Sequence, residues 1–204
     1  MSISNESAIK KNPAKKFITF KGGEFQYYDK ETQANIPCPL PFNFVVLDTL
    51  AMVTGYDESN NCGIYSNEVK RTSDTELTVK SFKGGEIAKG LYSEIKDKVK
   101  SRGGRYTTSL YAMYNKEIVN IRLTGAALSS WIGKDFNENG ISVTKLEDGQ
   151  KGATKYKIPV FESVEVTGLK EAKALDVELQ QYLGGETKEV KNPVQEIQPD
   201  DLPF

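Results

Sequence analysis

The sequence has no histidine, only two cysteines and no long apolar run, and each shortage excludes a class of function. Without histidine the chain lacks the commonest general base and metal ligand, and it cannot form a Ser-His or Cys-His nucleophile pair. Cys38 and Cys62 do not form a C-x-x-C pair, and two thiols alone do not complete a typical zinc site. We therefore expect no cofactor, and we expect both thiols to stay reduced.

Further absences narrow the choice. No apolar run approaches 18 residues and no signal-peptide pattern precedes the body, so we expect a soluble, cytoplasmic protein. The phosphate-binding loop G-x-x-x-x-G-K-S/T is missing, because the glycine pairs at 22–23, 84–85 and 103–104 are isolated and indicate turns. Acidic pairs such as Asp57-Glu58 fall in predicted loops and are interpreted as solvated. We expect no enzyme activity; a metal-dependent nuclease is an alternative that no residue pattern favours.

Turn and strand residues are abundant, with 17 glycines and 10 tyrosines. Short runs of strand character alternate with turn residues, which predicts a mainly β domain with added helices. We expect an OB-like antiparallel barrel with two or three helices at residues 15–183, a flexible arm at 1–14 and a disordered tail at 184–204. Periodicity alone leaves another mixed antiparallel α+β fold open. The predicted strands cover residues 16–21, 24–28, 32–38, 42–56, 64–69, 77–82, 106–113, 118–123, 141–146 and 156–166.

Three segments have helical character. Apolar residues recur at four-residue spacing from Ile87 to Val99, which predicts a helix that starts at Glu86 and ends at Gly103-Gly104. A second helix is predicted after Thr124, with Trp131 on its apolar face and therefore in the core. A third is predicted at residues 169–183, stopped by Gly184-Gly185.

The charge is distributed unevenly along the chain. The formal net charge is −1. From Gly184 onward there are five acids and two lysines, which leaves residues 1–183 with 23 acids and 25 bases. A weakly basic body thus carries an acidic tail. This uneven distribution is more informative about binding partners than the net charge is.

The tail ends in a peptide with the properties of a ligand: Asp200, Asp201, Leu202, Pro203 and Phe204. Phe204 offers an apolar ring beside a free carboxylate, and Pro203 restricts the backbone and so lowers the entropy lost on docking. The aspartates favour a positively charged rim on the partner. A tail that served solubility alone would not need to end on a large aromatic residue, so we interpret these five residues as partner-binding.

This ending resembles the acidic tip of bacterial and bacteriophage single-stranded DNA-binding proteins, which finish in aspartates followed by an aliphatic residue, proline and phenylalanine. The resemblance covers residues 200–204, with two aspartates rather than three and leucine where isoleucine is common. The body is similar in style to phage versions. The resemblance implies an OB domain that coats and protects single-stranded DNA during replication, recombination and repair in the host cytoplasm. It also implies a tip that recruits a polymerase, helicase, primase or nuclease and that competes with DNA for the protein's own groove.

Another interpretation of the same tail is open. Gln198, Leu202 and Phe204 also resemble the glutamine-plus-hydrophobic peptides that dock on bacterial sliding clamps, although the spacing is stretched and Pro199 is unfavourable. The alternative function is therefore a replication adaptor that carries a clamp- or polymerase-binding peptide on a domain without DNA affinity.

A sequence-independent single-strand binder needs cations for phosphates and aromatic faces for bases. Several segments interleave the two, although each aromatic taken alone is more typical of sheet packing. Glycines beside the basic residues would let a backbone approach closely. The candidate DNA-binding residues are Lys16, Lys21, Phe25, Tyr27, Tyr28, Arg102, Arg105, Tyr106, Tyr111, Tyr114, Lys155 and Tyr156.

Overall fold

The computed structural model describes residues 11–134, 136 and 139–184. In this described part of the chain, eleven strands form one sheet and three helices pack on it. The strands are β1 (Lys16–Lys21), β2 (Glu24–Asp29), β3 (Ala34–Pro37), β4 (Phe42–Asp57), β5 (Cys62–Ser66), β6 (Leu77–Ser81), β7 (Glu86–Gly90), β8 (Gly104–Tyr114), β9 (Glu117–Leu123), β10 (Gly140–Lys151) and β11 (Thr154–Val164). The helices are α1 (Tyr92–Ser101), α2 (Gly125–Trp131) and α3 (Leu169–Leu183).

The sheet is organised around the long strand β4. One edge of β4 pairs with β8, and the other edge pairs with β10 at its start and with β5 at its end. The main strand order is β3-β2-β1-β9-β8-β4-β5-β6-β7, with the β10–β11 hairpin joined through β4. The prediction of a mainly β domain with added helices is confirmed. The arrangement differs from an antiparallel barrel because the sheet is open and β1 runs parallel to β9.

One face of the sheet, which we call the inner face, bears the main core. α1 packs there against β7 and β8, and α2 packs against β9 and β11. The rings of Tyr92 and Tyr106 meet edge to face at 5.1 Å, and Trp131 meets Phe161 at 5.2 Å. Trp131 therefore lies against the core, as predicted. Strand alternation explains why apolar residues of several strands meet on this face, because every second residue of a strand points to the same face.

The opposite face, which we call the outer face, is covered only in part. α3 lies over β4 and β9 at one end, where Leu179 and Ala172 pack on a second apolar cluster that includes Leu50 and Met113. The predicted bounds of α3 are confirmed, and Gly184 ends the helix with a positive φ of 74°. The rest of the outer face has no covering helix among the described residues.

The helix predicted from Glu86 is wrong in its first half, because Glu86–Gly90 is strand β7. The strand places Ile87 in the inner core. Ile87 is therefore apolar because of its position in the strand, and its four-residue spacing from Leu91 does not indicate a helix there. Helix α1 begins one residue after Leu91, whose backbone N–H donates to the Glu94 carboxylate at 3.1 Å. That capping contact, rather than the apolar spacing, marks the helix start.

The arm predicted to be flexible at residues 1–14 is docked in its described part. Asn12 donates to the hydroxyl of Tyr111 at 3.0 Å, and Ala14 packs against the cluster beneath α3. Residues 1–10 and the predicted tail from residue 185 onward lie outside the described residues. Within residues 11–134 and 139–184, none of the helices has the length and hydropathy that a membrane crossing requires.

Candidate nucleic-acid interface

Six aromatic side chains of the described residues are strongly exposed: Phe17, Tyr28, Tyr56, Tyr65, Phe82 and Tyr156. Five of them lie on the outer face of the main strand path, whereas Tyr156 lies on the β10–β11 hairpin, off that path. The strand registers show this directly, because Tyr65 is paired with Thr54 and Gly63 with Tyr56. Residues two apart on one strand share a face, so Thr54, Tyr56 and Tyr65 project together.

At one end of this surface, Tyr65 and Phe82 form an exposed stack. Their ring centroids lie 4.7 Å apart, and Phe82 is 74% exposed. The ring of Phe82 rests on Gly63, where an added Cβ would come within 2.4 Å of it. The hydroxyl of Tyr56 donates to the side-chain oxygen of Asn61. The missing side chain of Gly63 thus leaves room for the Phe82 ring, most of which stays exposed.

At the other end, Phe17 on β1 lies beneath Arg122 on β9. The guanidinium carbon of Arg122 is 4.8 Å from the ring centroid of Phe17, a cation–π contact. The parallel register pairs Thr19 with Arg122, so Phe17 lies one step along the same face. Tyr28, 58% exposed, belongs to the same face of the neighbouring strand β2.

Four basic residues lie among these rings, and Glu24 and Glu86 lie at the borders. Arg105 is paired with Thr54 between the two aromatic ends, and Lys80 is paired with Tyr65. We call this surface the open face. Its residues are Phe17, Lys21, Tyr28, Tyr56, Tyr65, Lys80, Phe82, Arg105 and Arg122.

Beside the open face is a groove of about 580 Å³ between the end of β4 and the end of α1. Arg102 lines this groove, but its side chain is bonded to Asp57 at the start of the β4–β5 loop. Its Nε and one terminal nitrogen donate to the buried carboxylate of Asp57 at 2.7 and 2.5 Å. Asn60 donates to the same carboxylate at 2.8 Å. These bonds, those of Asn60 first and Arg102 next, hold the pKa of Asp57 below its usual range. Arg102 is therefore engaged in holding the β4–β5 loop.

A comparison of the chain with protein-family models, curated proteins and solved structures found no match. The candidate site consequently rests on geometry. Among the described residues, no group of three or more His, Cys, Asp or Glu side chains is arranged to hold a metal ion.

Three predicted DNA-binding aromatics are core residues, so this prediction is corrected. Phe25, Tyr106 and Tyr111 are 1%, 3% and 0% exposed. Phe25 packs in a ring cluster with Phe42, and Tyr106 packs on helix α1. Tyr111 belongs to the outer face but lies beneath its covered part. Burial raises its pKa, so its hydroxyl stays protonated and donates to Glu68.

Three other predicted residues lie on the inner side of the sheet, at the rim of the core. Lys16 forms an ion pair with Glu117 at 2.5 Å and lies over the ring of Tyr27. Tyr27 and Tyr114 are half-buried against the inner core. The pKa of Tyr114 is raised, mainly by burial and then by Cys38, whose own pKa burial raises to about 11. These side chains do not join the open face.

Of the remaining predicted residues, Lys21, Tyr28 and Arg105 lie together on the open face. Lys155 and Tyr156 lie on the separate β10–β11 hairpin, where Tyr156 packs over Gly149. The predicted partner-binding peptide, residues 200–204, lies outside the described residues.

The open face also contains residues that the sequence analysis missed: Phe17, Tyr56, Tyr65, Lys80, Phe82 and Arg122. A sequence pattern could have identified two of them, Tyr65 and Lys80. In β5 and β6 the apolar positions Ile64, Leu77 and Val79 alternate with Tyr65 and Lys80, and that alternation indicates an outward Tyr-Lys pair. Nothing in the sequence shows that Phe17 and Arg122, from distant strands, meet.

Proposed function

We propose that this protein binds single-stranded DNA along the open face, as a non-catalytic protein that coats the strand during replication or recombination. The observation that carries the proposal is the clustering of exposed aromatics. Five of the six strongly exposed rings in the described residues share one face of the main strand path, with four basic side chains among them. Exposed apolar patches of this kind mark binding surfaces.

The chemistry of the open face suits a single strand better than a duplex. Unpaired bases offer flat π faces, and stacking on an aromatic side chain is worth about 1–3 kcal/mol per base without regard to sequence. The basic residues lie between the rings, where they would meet phosphates. Such a surface binds strands of many sequences, which fits a coating role rather than recognition of one site.

Anisotropy titration of a labelled poly-dT strand at several salt concentrations tests the proposal. We expect binding that weakens as salt rises, because phosphate contacts release counterions. Phe82→Ala should weaken binding roughly 5- to 150-fold, the range that one stacking contact spans. Tyr156→Ala is the matched control, since it removes an exposed ring from the hairpin outside the open face. Absence of binding, or equal losses in the two variants, would contradict the proposal.

We further propose that residues 200–204 recruit replication or recombination proteins, on the basis of their sequence and their resemblance to the acidic tips of single-stranded DNA-binding proteins. Deleting these five residues should leave DNA affinity unchanged or tighter, because the tail is acidic. The same deletion should abolish capture of purified polymerase, helicase, primase or nuclease by the immobilised protein. An adaptor without DNA affinity would show the second effect but no DNA binding in the intact chain.

A further inference from the structure

Beneath the open face runs a chain of hydrogen bonds from Glu68 to Arg122. Ser109 donates its hydroxyl to Glu68 at 2.6 Å and accepts the side-chain N–H of Asn120 at 2.7 Å. The side-chain oxygen of Asn120 accepts the Nε–H of Arg122 at 3.2 Å. Ser109 and Asn120 are both 0% exposed, so water does not compete for these bonds. The chain of bonds therefore defines one orientation of each member.

The two bonds of Asn120 are what orient the arginine. Its amide nitrogen is turned to Ser109, and so its oxygen must face Arg122. Because Nε donates to Asn120, one terminal nitrogen shares that edge of the guanidinium, whereas the edge between the two terminal nitrogens is directed away from Asn120. Phe17 holds the guanidinium plane from below. A long, flexible side chain is thus held as a planar fork at the surface, which lowers the entropy lost when it binds.

The charge of this fork has no direct counter-ion. Among the described residues Arg122 makes no ion pair, whereas Arg102 gives its guanidinium to Asp57. Burial lowers the pKa of Arg122 and the negative charge of Glu68 opposes that shift, so the group remains charged at neutral pH. Glu68 is itself occupied by the hydroxyls of Ser109 and Tyr111. An oriented cation without an ion-pair partner is suited to an anionic ligand.

We propose that Arg122 binds one phosphodiester group of the DNA strand through both terminal nitrogens, backed by Phe17, and that Asn120, Ser109 and Glu68 position it. This inference rests on the proposed function, because it assigns one contact within the open face. Arg122 is the residue that touches the ligand. Asn120 is a positioning residue that acts through Arg122.

Salt-dependent titration of poly-dT separates charge from orientation. Arg122→Ala should weaken binding roughly 10- to 100-fold, as expected for loss of charge-assisted hydrogen bonds. It should also make the plot of log affinity against log salt less steep by about 0.7, the value for one phosphate on a single strand. Arg122→Lys keeps the charge but not the planar fork. It should preserve the slope and still lose affinity several-fold. Arg71→Lys, at an exposed arginine outside the open face, is the matched control and should change affinity less than about twofold.

A double-mutant cycle tests the positioning role. Asn120→Ala should weaken binding roughly 3- to 10-fold in the intact protein and have no further effect in the Arg122→Ala background. Additive losses would overturn the role of Asn120, and wild-type affinity in Arg122→Lys would overturn the bidentate contact. If Asn120→Ala lowers the thermal unfolding midpoint enough to obscure the result, Ser109→Ala replaces it in the cycle, with the same outcomes. Failure of the wild-type protein to bind poly-dT would refute the proposed function itself, which distinguishes the two failures.

Discussion

The two faces of this sheet use the same residue types for opposite purposes. On the inner face, Phe25, Phe42 and Phe161 are almost fully buried, and the ring of Phe25 contacts the other two. On the open face, Phe17 and Phe82 are 42% and 74% exposed. Strand parity is what separates them, since a shift of one residue moves a side chain to the other face. We infer that inner aromatics contribute to folding, and that outer aromatics contribute to binding.

The largest effect expected from this comparison is on the inner face. Phe42→Ala should lower the free energy of unfolding by about 3–5 kcal/mol, because it removes a fully buried ring that contacts Phe25, Phe44 and Tyr114. Urea unfolding followed by circular dichroism measures the loss. DNA affinity measured at low temperature, where the variant is folded, should match that of the wild type. A large loss of affinity in the folded variant would break the division between the faces.

The adjacent pair Tyr27 and Tyr28 gives the next largest effect. Tyr28→Ala should weaken poly-dT binding by about 1–3 kcal/mol, as for a stacking residue, with little change in stability. Tyr27→Ala should do the reverse, with a stability loss of about 0.5–3 kcal/mol and unchanged affinity, because Tyr27 packs against the inner core. Paired titrations and unfolding curves test both. If both variants lose affinity equally, the strand's two faces do not differ in function.

A smaller effect is expected where α3 covers the outer face. Burial raises the pKa of Asp176, and Gln180 opposes this by donating to its carboxylate. Since the folded pKa lies above the unfolded value, ionised Asp176 destabilises the fold, and stability should rise as pH falls through that pKa. Asp176→Asn should stabilise the protein at pH 7 by about 1 kcal/mol and remove this part of the pH dependence. Thermal unfolding measured from about pH 4, near the usual pKa of a carboxyl group, to about pH 8 tests this prediction. A destabilised Asn variant would contradict the assignment.

The smallest effect compares two lysines of strand β1. Lys21 lies on the open face, so Lys21→Ala should weaken binding a few-fold. It should also make the plot of log affinity against log salt less steep by about 0.7. Lys16 lies on the inner side and is paired with Glu117, so Lys16→Ala should leave the slope unchanged and cost at most about 1 kcal/mol of stability. The hydrogen bond from Lys16 to Glu117 raises the pKa of Lys16, so that contribution should disappear in alkaline solution. Equal slopes for the two variants would remove Lys21 from the interface.

Fold class and several elements were predictable from local patterns. The third helix has an apolar seam and ends at glycine, and its bounds agree with the structure. The β8–β9 hairpin turns at Asn115 and Lys116, which adopt positive φ and fall in the gap between the strands predicted at 106–113 and 118–123. Each of these features is determined by residues close together in the chain. The parallel pairing of β1 with β9 was not predictable, because nothing local specifies which distant strand becomes a neighbour.

The candidate site was predictable only in part for the same reason. Basic and aromatic residues were recognised as a group, but their faces depend on strand register and on one bulge in β4. Val46 and Asp48 flank that bulge, and the apolar run around them hides the change of parity. Tyr111 illustrates the second difficulty. It has the parity of the open face, yet Glu68 and Asn12 bond to its hydroxyl and it is fully buried.

The parallel contact between β1 and β9 also affects how the protein can fold. Phe17 and Arg122 are separated by more than a hundred residues, so most of the domain must be synthesised before they meet. Contacts of such long sequence separation form late and slowly, since the loop between them must first be closed. A nascent chain that has not yet reached β9 can pair β1 with β2 only, so the other edge of β1 stays unpaired. That unpaired edge is open to wrong pairing until β9 has been made.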